Sequence, residues 1–278
     1  MRAPGQPPGT CSLEDRRDSV STADHDNGTD PRKNLAALEE EATRLGLELD
    51  AAAYDRFARY LALLQEWRDR AGLTSLTDPA AVQRRHFGES LALLVALRDA
   101  GVLPAGEPAT VVDVGAGAGF PGVPMHIAEP ALRLTLVESH GRRARFLETL
   151  VDELALDGVG VVTARAEEAG RDPAYREAFD VAVARAVAPL PVLVEYLLPL
   201  LRPGGVMAAP KGSGAERELA EAAAAIEALG GCAEEPAPLS LPEGATMQRV
   251  IVVRRCGALP ERYPRRPGIP AKRPIRYR

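Results

Sequence analysis

The sequence is poor in cysteine, in aromatic residues and in long apolar runs. Three cysteines among 278 residues are too few and too widely spaced for a disulfide framework or a CxxC metal clip, so we predict ordinary thiols and no metal site. The longest apolar run, residues 91–97, has seven residues, whereas a membrane span needs about 20. Residues 1–10 lack the apolar core of a secretory signal. We therefore expect a cytoplasmic protein without a membrane partner.

The charge of the chain is unevenly distributed. A net charge of −5 argues by itself against nucleic acid as a partner. However, residues 262–278 carry seven basic residues and no acidic one, which leaves −12 on the remainder of the chain. This tail also contains four prolines, so we expect an extended arm. Composition leaves two roles open for it, a phosphate-binding arm or a solubilising end.

The first third of the chain predicts a disordered extension followed by helices. Residues 1–34 contain six residues of the hydrophobic class and no aromatic one, too few to offset the entropy of ordering. We predict a helical N-terminal segment over residues 35–104. Its second helix begins after Asp50, a good N-cap, and carries Phe57, Leu61 and Leu64 on one face.

From residue 105 to residue 257 short strands alternate with helical segments. That alternation predicts an α/β domain with a mostly parallel sheet of seven strands and helices on both faces. The last two β-rich runs, near residues 236–241 and 247–254, follow each other without a helix, so we expect an antiparallel edge hairpin there. The other predicted strands are Thr110–Val114, Leu132–Glu138, Val159–Thr163, Phe179–Ala184 and Gly205–Ala209.

The strongest chemical signal is the segment VVDVGAGAGFPGVP at residues 111–124, where a buried strand enters a glycine-rich turn and then a helix. Such a turn lets a ligand approach the backbone closely. Gly117, Gly119 and Gly122 spell GxGxxG, which alone is weak evidence for a dinucleotide. Asp113 precedes the glycines and suits a cationic amino-acid cofactor such as S-adenosylmethionine. Glu138, at the end of the next predicted strand, suits two ribose hydroxyls.

Three alternatives to this interpretation remain open at the level of the residues. The loop pattern is shared with proteins that bind nicotinamide or flavin nucleotides, and a glycine-rich turn can also have no ligand. Asp113 can simply cap the following helix. Glu138 indicates a nucleoside without selecting between the cofactor classes.

Seven segments in a consistent order resemble one family, and the resemblance runs from about residue 40 to residue 255. They are GLTSLTDP at 72–79, RH..ES at 85–90, VDVGAGAGFPGVP at 112–124, VESHGRRARFL at 137–147, ARAEE at 164–168, VARAVAPL at 183–190 and PKG at 210–212. Together they are similar to the bacterial 16S rRNA guanine-N7 methyltransferases, formerly called glucose-inhibited division protein B. The basic, proline-rich end resembles the tail of Gram-positive members.

The resemblance implies a class I methyltransferase fold (Rossmann-like) with a small helical cap. It also implies an S-adenosylmethionine-dependent enzyme that methylates N7 of guanosine 527 in 16S rRNA. Its cofactor contacts, carried over residue by residue, are Gly115, Phe120, Ala166, Glu167 and Arg185, beside Asp113, Gly117 and Glu138 from the residue argument. The sequence departs from the family at Gly72, where many members have Asn, at Glu89, where many have Asp, and at Pro210.

The expected chemistry needs no general base, because guanine N7 already carries a free lone pair at neutral pH. We therefore expect His86 and Arg185 to position groups, although His86 can equally be structural and Arg185 a surface residue paired with an acid. The expected partner is 16S rRNA or a precursor of the small ribosomal subunit, bound by a monomer. The candidate RNA-binding residues are Arg85, Arg142, Arg143, Arg145, Lys211, Arg265, Arg266, Lys272 and Arg273.

Two other functions remain open from the sequence. The first is a class I methyltransferase that acts on a protein or a small molecule. The second is a nucleotide-binding regulator that uses the same glycine loop without catalysis.

Overall fold

The computed structural model describes residues 34–241, 245 and 249–277. The predicted disordered extension, apart from Asn34, lies outside the described residues. The described residues all fall in one compact unit, Pro31–Arg278. The helical segment, the sheet and the basic tail that the sequence predicts are therefore parts of a single unit.

Helices precede the sheet. Helix α1 spans Ala36–Arg44 and α2 spans Ala51–Ala71. Helix α2 begins where predicted, because the Asp50 carboxylate accepts a hydrogen bond of 2.7 Å from the backbone N–H of Ala53. It ends at Gly72, which has φ +60°. A longer helical segment follows, built from α3 (Pro79–Val82), a π-helical turn (Gln83–Gly88) and α4 (Glu89–Asp99).

The sheet has eight strands in the order β3-β2-β1-β4-β5-β8-β6, with β7 paired to β8. The first five strands in that order are parallel, and β8 is antiparallel to β5, β6 and β7. The strands are β1 (Ala109–Val114), β2 (Leu132–Glu138), β3 (Val159–Thr163), β4 (Phe179–Val183), β5 (Leu201–Lys211), β6 (Gly231–Ala233), β7 (Ala237–Pro238) and β8 (Arg249–Arg255). The helices after β1 are α5 (Gly122–Ala128), α6 (Gly141–Glu153), α7 (Ala166–Ala169), α8 (Leu190–Leu197), α9 (Ala215–Ala228) and α10 (Ile269–Lys272).

The predicted α/β class and the mostly parallel sheet are confirmed, with one correction at the antiparallel end. The segment 237–238 does pair with β8, but β8 itself lies between β5 and β6 and is not an edge strand. Its burial gives the reason, because Val250, Ile251, Val252 and Val253 are all buried, so both faces of the strand are covered. The short β6 supplies the edge, and the sequence pattern did not predict it.

Each face of the sheet packs against its own set of helices. Val111 and Leu134 lie in the apolar core that contains the N-terminal helices and the inner faces of α5 and α6. Val112 and Val114 lie in the second core, with residues of α8 and α9. Alternate side chains of one strand thus enter opposite cores, which is why the central strands are continuously apolar. Among the described residues, no helix is long and apolar enough to cross a membrane.

Candidate active site

Two adjoining cavities lie at the carboxyl ends of the parallel strands. The larger cavity, about 440 Å³, is lined by residues that include Thr74, His86, Glu89, Phe120 and Arg185. The smaller cavity, about 300 Å³, is lined by residues that include Glu138, Ala166, Glu167 and Tyr196. Gly115, Arg143 and Ala186 line both. An open α/β sheet binds its ligands at this edge, where the chain passes to helices on opposite faces.

The glycine loop cannot carry side chains at two of its positions. Gly115 has φ +69°, and a Cβ there would lie 2.7 Å from Cγ2 of Val187. Gly119 has φ +95°, and a Cβ there would lie 2.7 Å from the hydroxyl oxygen of Tyr60. That hydroxyl donates a hydrogen bond of 2.5 Å to the carbonyl of Ala118. Helix α2 therefore fixes the shape of the loop from behind.

Asp113 is not placed as the charge argument expected. Its side chain is fully buried and lines neither of the two cavities. Oδ2 accepts a hydrogen bond of 2.9 Å from the N–H of Gly122, the first residue of α5. The alternative in which Asp113 caps the following helix therefore describes the structure. The predicted direct contact of Asp113 with a cationic cofactor is not what the structure shows. Burial raises the pKa of Asp113 to about 7.

Glu138 closes the smaller cavity at the end of β2. Its Oε2 accepts a hydrogen bond of 2.9 Å from the N–H of Gly117, and its Oε1 accepts one of 2.8 Å from the N–H of His140. Oε1 also lies 3.1 Å from Nδ1 of the His140 ring, whereas Oε2 has a second lone pair open to a ligand. The carboxylate is thus held in place by the backbone on either side and can still bind the hydroxyls of a ribose.

Ala166 and Glu167 form the opposite wall of the smaller cavity. Glu167 is almost fully buried, and its Oε1 accepts a hydrogen bond of 2.8 Å from the N–H of Gly268 in the basic tail. Burial raises the pKa of the neighbouring Tyr196, and the carboxylates of Glu167 and Glu195 raise it further. Glu167, expected only as a cofactor contact, therefore also holds the tail in place.

In the larger cavity the side chains of His86 and Arg185 both pack on the ring of Phe120. The rings of His86 and Phe120 are 4.6 Å apart between centroids, and the Arg185 guanidinium lies 5.1 Å from the centroid of Phe120. Nη2 of Arg185 is 3.0 Å from Nδ1 of His86. Since a guanidinium only donates, Nδ1 is the acceptor, and the ring proton therefore sits on Nε2, 2.9 Å from the hydroxyl of Thr74.

Burial, together with the charge of Arg185, lowers the pKa of His86 to about 4. The imidazole is therefore neutral at physiological pH, with its acceptor nitrogen already engaged. This geometry supports the positional role expected for His86 rather than that of a base. His86 lies in the π-helical turn Gln83–Gly88, a rare geometry that often marks functional sites and that the sequence pattern did not predict.

Arg185 is paired with an acid, as its alternative interpretation expected, but it is not on the surface. Its side chain is 10% exposed. Nη1 lies 3.3 Å from Oε2 of Glu89 and donates a hydrogen bond of 3.1 Å to the carbonyl of Arg85. Arg185 therefore organises the wall of the larger cavity and does not line the smaller one.

The structure brings part of the predicted RNA-binding set to the mouth of the cavities. Arg85 lines the larger cavity and Arg143 lines both. Arg142 lies on a groove beside them that also contains Gly72. The φ of +60° at Gly72 is a conformation that Gly and Asn both adopt more readily than other residues, so this departure from the family preserves the backbone.

Two predicted RNA-binding residues are corrected, because each is engaged within the protein. Lys211 Nζ donates to Glu218 at 2.8 Å and to the Ala188 carbonyl at 3.2 Å. Arg265 makes a forked ion pair with Glu195, whose side chain is fully buried, at distances down to 2.6 Å. In this arrangement each side chain already holds a carboxylate within the protein.

The basic tail is not the extended arm that its prolines predicted. Tyr263 and Pro270 are buried, and α10 contacts α8. The tail packs because Glu195 and Glu167 bind it from the body of the protein. Its remaining predicted RNA-binding residues, Arg266, Lys272 and Arg273, are exposed.

Comparison with known proteins identifies the family. The model of a family described as rRNA small subunit methyltransferase G matches residues 53–240 of this chain. The chain belongs to this family. The ribosomal RNA small subunit methyltransferase G of Roseiflexus castenholzii is 47% identical over 234 residues, which cover 84% of this chain and 97% of that protein. The protein of the same name from Lactobacillus johnsonii is 43% identical and covers 87% of this chain and 100% of that protein.

A solved structure supports the fold. The crystal structure of a mutant of MtNAS matches with a TM-score of 0.50 at 17% identity, and covers 84% of both chains. The class I methyltransferase fold implied by the motif resemblance is confirmed. Membership in a methyltransferase family identifies S-adenosylmethionine as the cofactor, and the smaller cavity fits it because a fixed carboxylate, a glycine backbone and a partly apolar wall meet there.

Sequence reasoning missed three features of this site. Tyr60 of α2 was not singled out from the sequence, yet its hydroxyl binds the glycine loop. Thr74 lies within the recognised GLTSLTDP segment, but only the fold brings it to His86. The pairing of Glu195 with Arg265 joins residues 70 positions apart, and no local pattern signals such a contact.

Proposed function

We propose that this protein transfers a methyl group from S-adenosylmethionine to N7 of guanosine 527 in 16S rRNA. One observation carries the proposal: two cavities meet at Gly115, one with the walls of a nucleoside site and the other with a planar aromatic wall. A flipped-out RNA base is recognised by this kind of stacking surface. Membership in the rRNA small subunit methyltransferase G family supports the same acceptor.

In this proposal the cofactor nucleoside occupies the smaller cavity. Glu138 accepts hydrogen bonds from the ribose hydroxyls, and the backbone at Ala166 and Glu167 lies beside the adenine. Gly115 lines both cavities and has no side chain, so the cofactor can approach its backbone. When bound, S-adenosylmethionine supplies a methyl group activated by a sulfonium. Gly117 and Phe120 of the same loop, which line the larger cavity, border the path between donor and base.

The protein residues act by alignment. Guanine N7 forms the new bond to the methyl carbon while the carbon–sulfur bond breaks; its electron pair stays on sulfur, and the guanine ring becomes positively charged. N7 carries no proton to remove, so a neutral His86 with an occupied Nδ1 is consistent with the reaction. Instead, His86 and Arg185, which pack on the ring of Phe120, offer a surface on which the base stacks. Orientation of this kind lowers a bimolecular barrier substantially.

The RNA backbone is bound around the cavities. Arg85, Arg142 and Arg143 lie at or beside the mouth of the larger cavity. Arg266, Lys272 and Arg273 extend the cationic surface on the side of the smaller cavity, since the tail reaches Glu167. These contacts give affinity without base readout. In this proposal the protein acts as a cytoplasmic monomer on 16S rRNA or on a precursor of the small subunit.

The test is methyl transfer in vitro with S-adenosylmethionine and with 16S rRNA or small ribosomal subunits that lack the modification. We expect one methyl group at N7 of guanosine 527, located by mass spectrometry of nuclease fragments. Calorimetry should show binding of S-adenosylmethionine and none of NAD. Methyl transfer only to a protein or a small molecule would show that RNA is not the acceptor. Cofactor binding without methyl transfer to any acceptor would indicate a regulator.

A further inference from the structure

The larger cavity contains a buried carboxylate with one unsatisfied oxygen. The Glu89 side chain is 8% exposed, and its Oε2 lies 3.3 Å from Nη1 of Arg185. Oε1 is shielded from solvent and accepts no hydrogen bond from any described residue. An unsatisfied buried carboxylate oxygen is costly, and native proteins rarely keep one without a use.

The surroundings of Glu89 hold that carboxylate still. Arg185, its partner, is itself fixed by the Arg85 carbonyl and by Nδ1 of His86. Glu89 opens α4, directly after the π-helical turn that carries His86. The unsatisfied acceptor is therefore preorganised beside the flat wall of His86 and Phe120, where the proposed function places the base.

We propose that Glu89 selects guanine by accepting hydrogen bonds from its N1–H and its 2-amino group. This inference rests on the proposed function, since it requires a guanine in the larger cavity. Guanine is the only standard base with two adjacent donors on its Watson–Crick edge, and a carboxylate is the side chain that accepts from both. N7 lies on the other ring, away from that edge, so a base held by Glu89 keeps N7 free for the methyl donor.

The same contact favours the reaction as well as the base. Methyl transfer leaves a positive charge on the guanine ring, which makes N1–H and the 2-amino group stronger donors. Their hydrogen bonds to Glu89 are therefore stronger in the transition state than in the bound substrate, which is the condition for catalysis by binding. Glu89 is thus the carboxylate that neutralises the developing cation.

The test compares guanosine with inosine at the target position of the RNA, because inosine differs only by lacking the 2-amino group. For the unmodified protein, kcat/KM should be roughly tenfold to hundredfold higher with guanosine. In Glu89→Gln, whose amide can accept only one of the two hydrogen bonds, kcat/KM with guanosine should fall by a similar factor. The ratio of guanosine to inosine should fall towards one.

Glu129→Gln is the matched control. Glu129 is about as buried as Glu89 and is ion-paired with Arg98 at 2.7 Å, but it lines neither cavity. It should keep the preference for guanosine. Both variants should bind S-adenosylmethionine in calorimetry as the unmodified protein does. If Glu89→Gln lowers kcat/KM equally for both bases, Glu89 is structural and the inference is wrong.

Glu89→Asp keeps the inference testable if Glu89→Gln does not fold. It retains the charge and should retain the preference for guanosine at a reduced rate; loss of that preference with the charge intact would overturn the inference. Absence of methyl transfer to guanosine by the unmodified protein would instead refute the proposed function. The two failures are therefore distinguishable.

Discussion

At the scale of single residues, the site depends on polar groups held away from water. Asp113 and Glu89 each keep one carboxylate oxygen without a hydrogen bond among the described residues, and His86 is neutral because it is buried beside Arg185. Such groups cost stability and occur where function requires them. The position of Asp113 behind the glycine loop gives a prediction about pH.

The Asp113→Asn variant should change how stability depends on pH. The pKa of Asp113 is raised from 3.8 to about 7, so between these values the folded chain holds a proton that the unfolded chain has lost. The free energy of unfolding of the unmodified protein should therefore fall as pH rises through this window, by up to about 1.4 kcal/mol per pH unit from this group. Asp113→Asn should lack that component in urea denaturation from pH 4 to pH 7 without cofactor.

Asp152→Asn serves as the control, because it makes the same chemical change at an exposed position on α6. We expect this variant to keep the pH slope of the unmodified protein. A slope in Asp113→Asn that equals the slope of this control would show that Asp113 does not hold its proton in the folded state.

At the scale of elements, the tail is attached to the wall of the smaller cavity. Arg265 binds the buried Glu195 of α8, and Gly268 binds Glu167 beside the smaller cavity. Two anchors thus connect the C-terminal segment to the residues expected to contact adenine. Detachment of this segment should therefore affect cofactor binding as well as stability.

Arg265→Met should lower the free energy of unfolding by about 3 kcal/mol, because it removes the guanidinium and leaves the buried Glu195 carboxylate only the backbone N–H of residue 265. It should also weaken S-adenosylmethionine binding severalfold, since Glu167 loses the N–H of Gly268. Thermal denaturation and calorimetry measure the two effects. Arg266→Met, a change at the exposed neighbour, should alter neither, and equal behaviour of the two variants would contradict the structural role of the tail.

At the scale of the whole molecule, an acidic protein binds a polyanion only through local positive surface. The net charge is −5, yet Arg266, Lys272 and Arg273 are exposed on the segment that borders the smaller cavity. Screening limits repulsion from the distant acidic residues to about 10 Å at 0.1 M salt. The position of the cations therefore decides RNA affinity more than the net charge does.

Replacing Arg266, Lys272 and Arg273 together by Gln should weaken RNA binding and flatten its salt dependence. The slope of log K against log salt concentration should decrease by about 0.7 to 0.9 for each RNA phosphate that the variant no longer neutralises. The control is Arg133→Gln with Arg202→Gln, since these exposed cations lie near the starts of β2 and β5, at the opposite edge of the sheet. Filter binding measures these slopes. Identical slopes in the unmodified protein and both variants would show that the tail does not contact the RNA.

The sequence by itself determined most of the order of strands and helices, but not the short β6, and it determined the glycine loop and the family, because these features are encoded in local patterns. Period-two and helical spacing decide which element forms, and the glycines between Gly115 and Gly122 have no substitute where backbone must approach a ligand. A strand buried on both faces, such as β8, also shows in the sequence as a continuous apolar run. Its position between β5 and β6 does not show there.

Only the tertiary structure decided what the polar groups of these elements do. Asp113, expected to contact the cofactor, binds the start of α5. Arg265, expected to bind RNA, pairs with Glu195. Arg185 contacts both His86 and Glu89. The sequence reports that a charge is present, but its partner and its pKa depend on which groups share its low-dielectric surroundings. Those groups lie up to 99 residues apart and meet only when the sheet and its helices have packed.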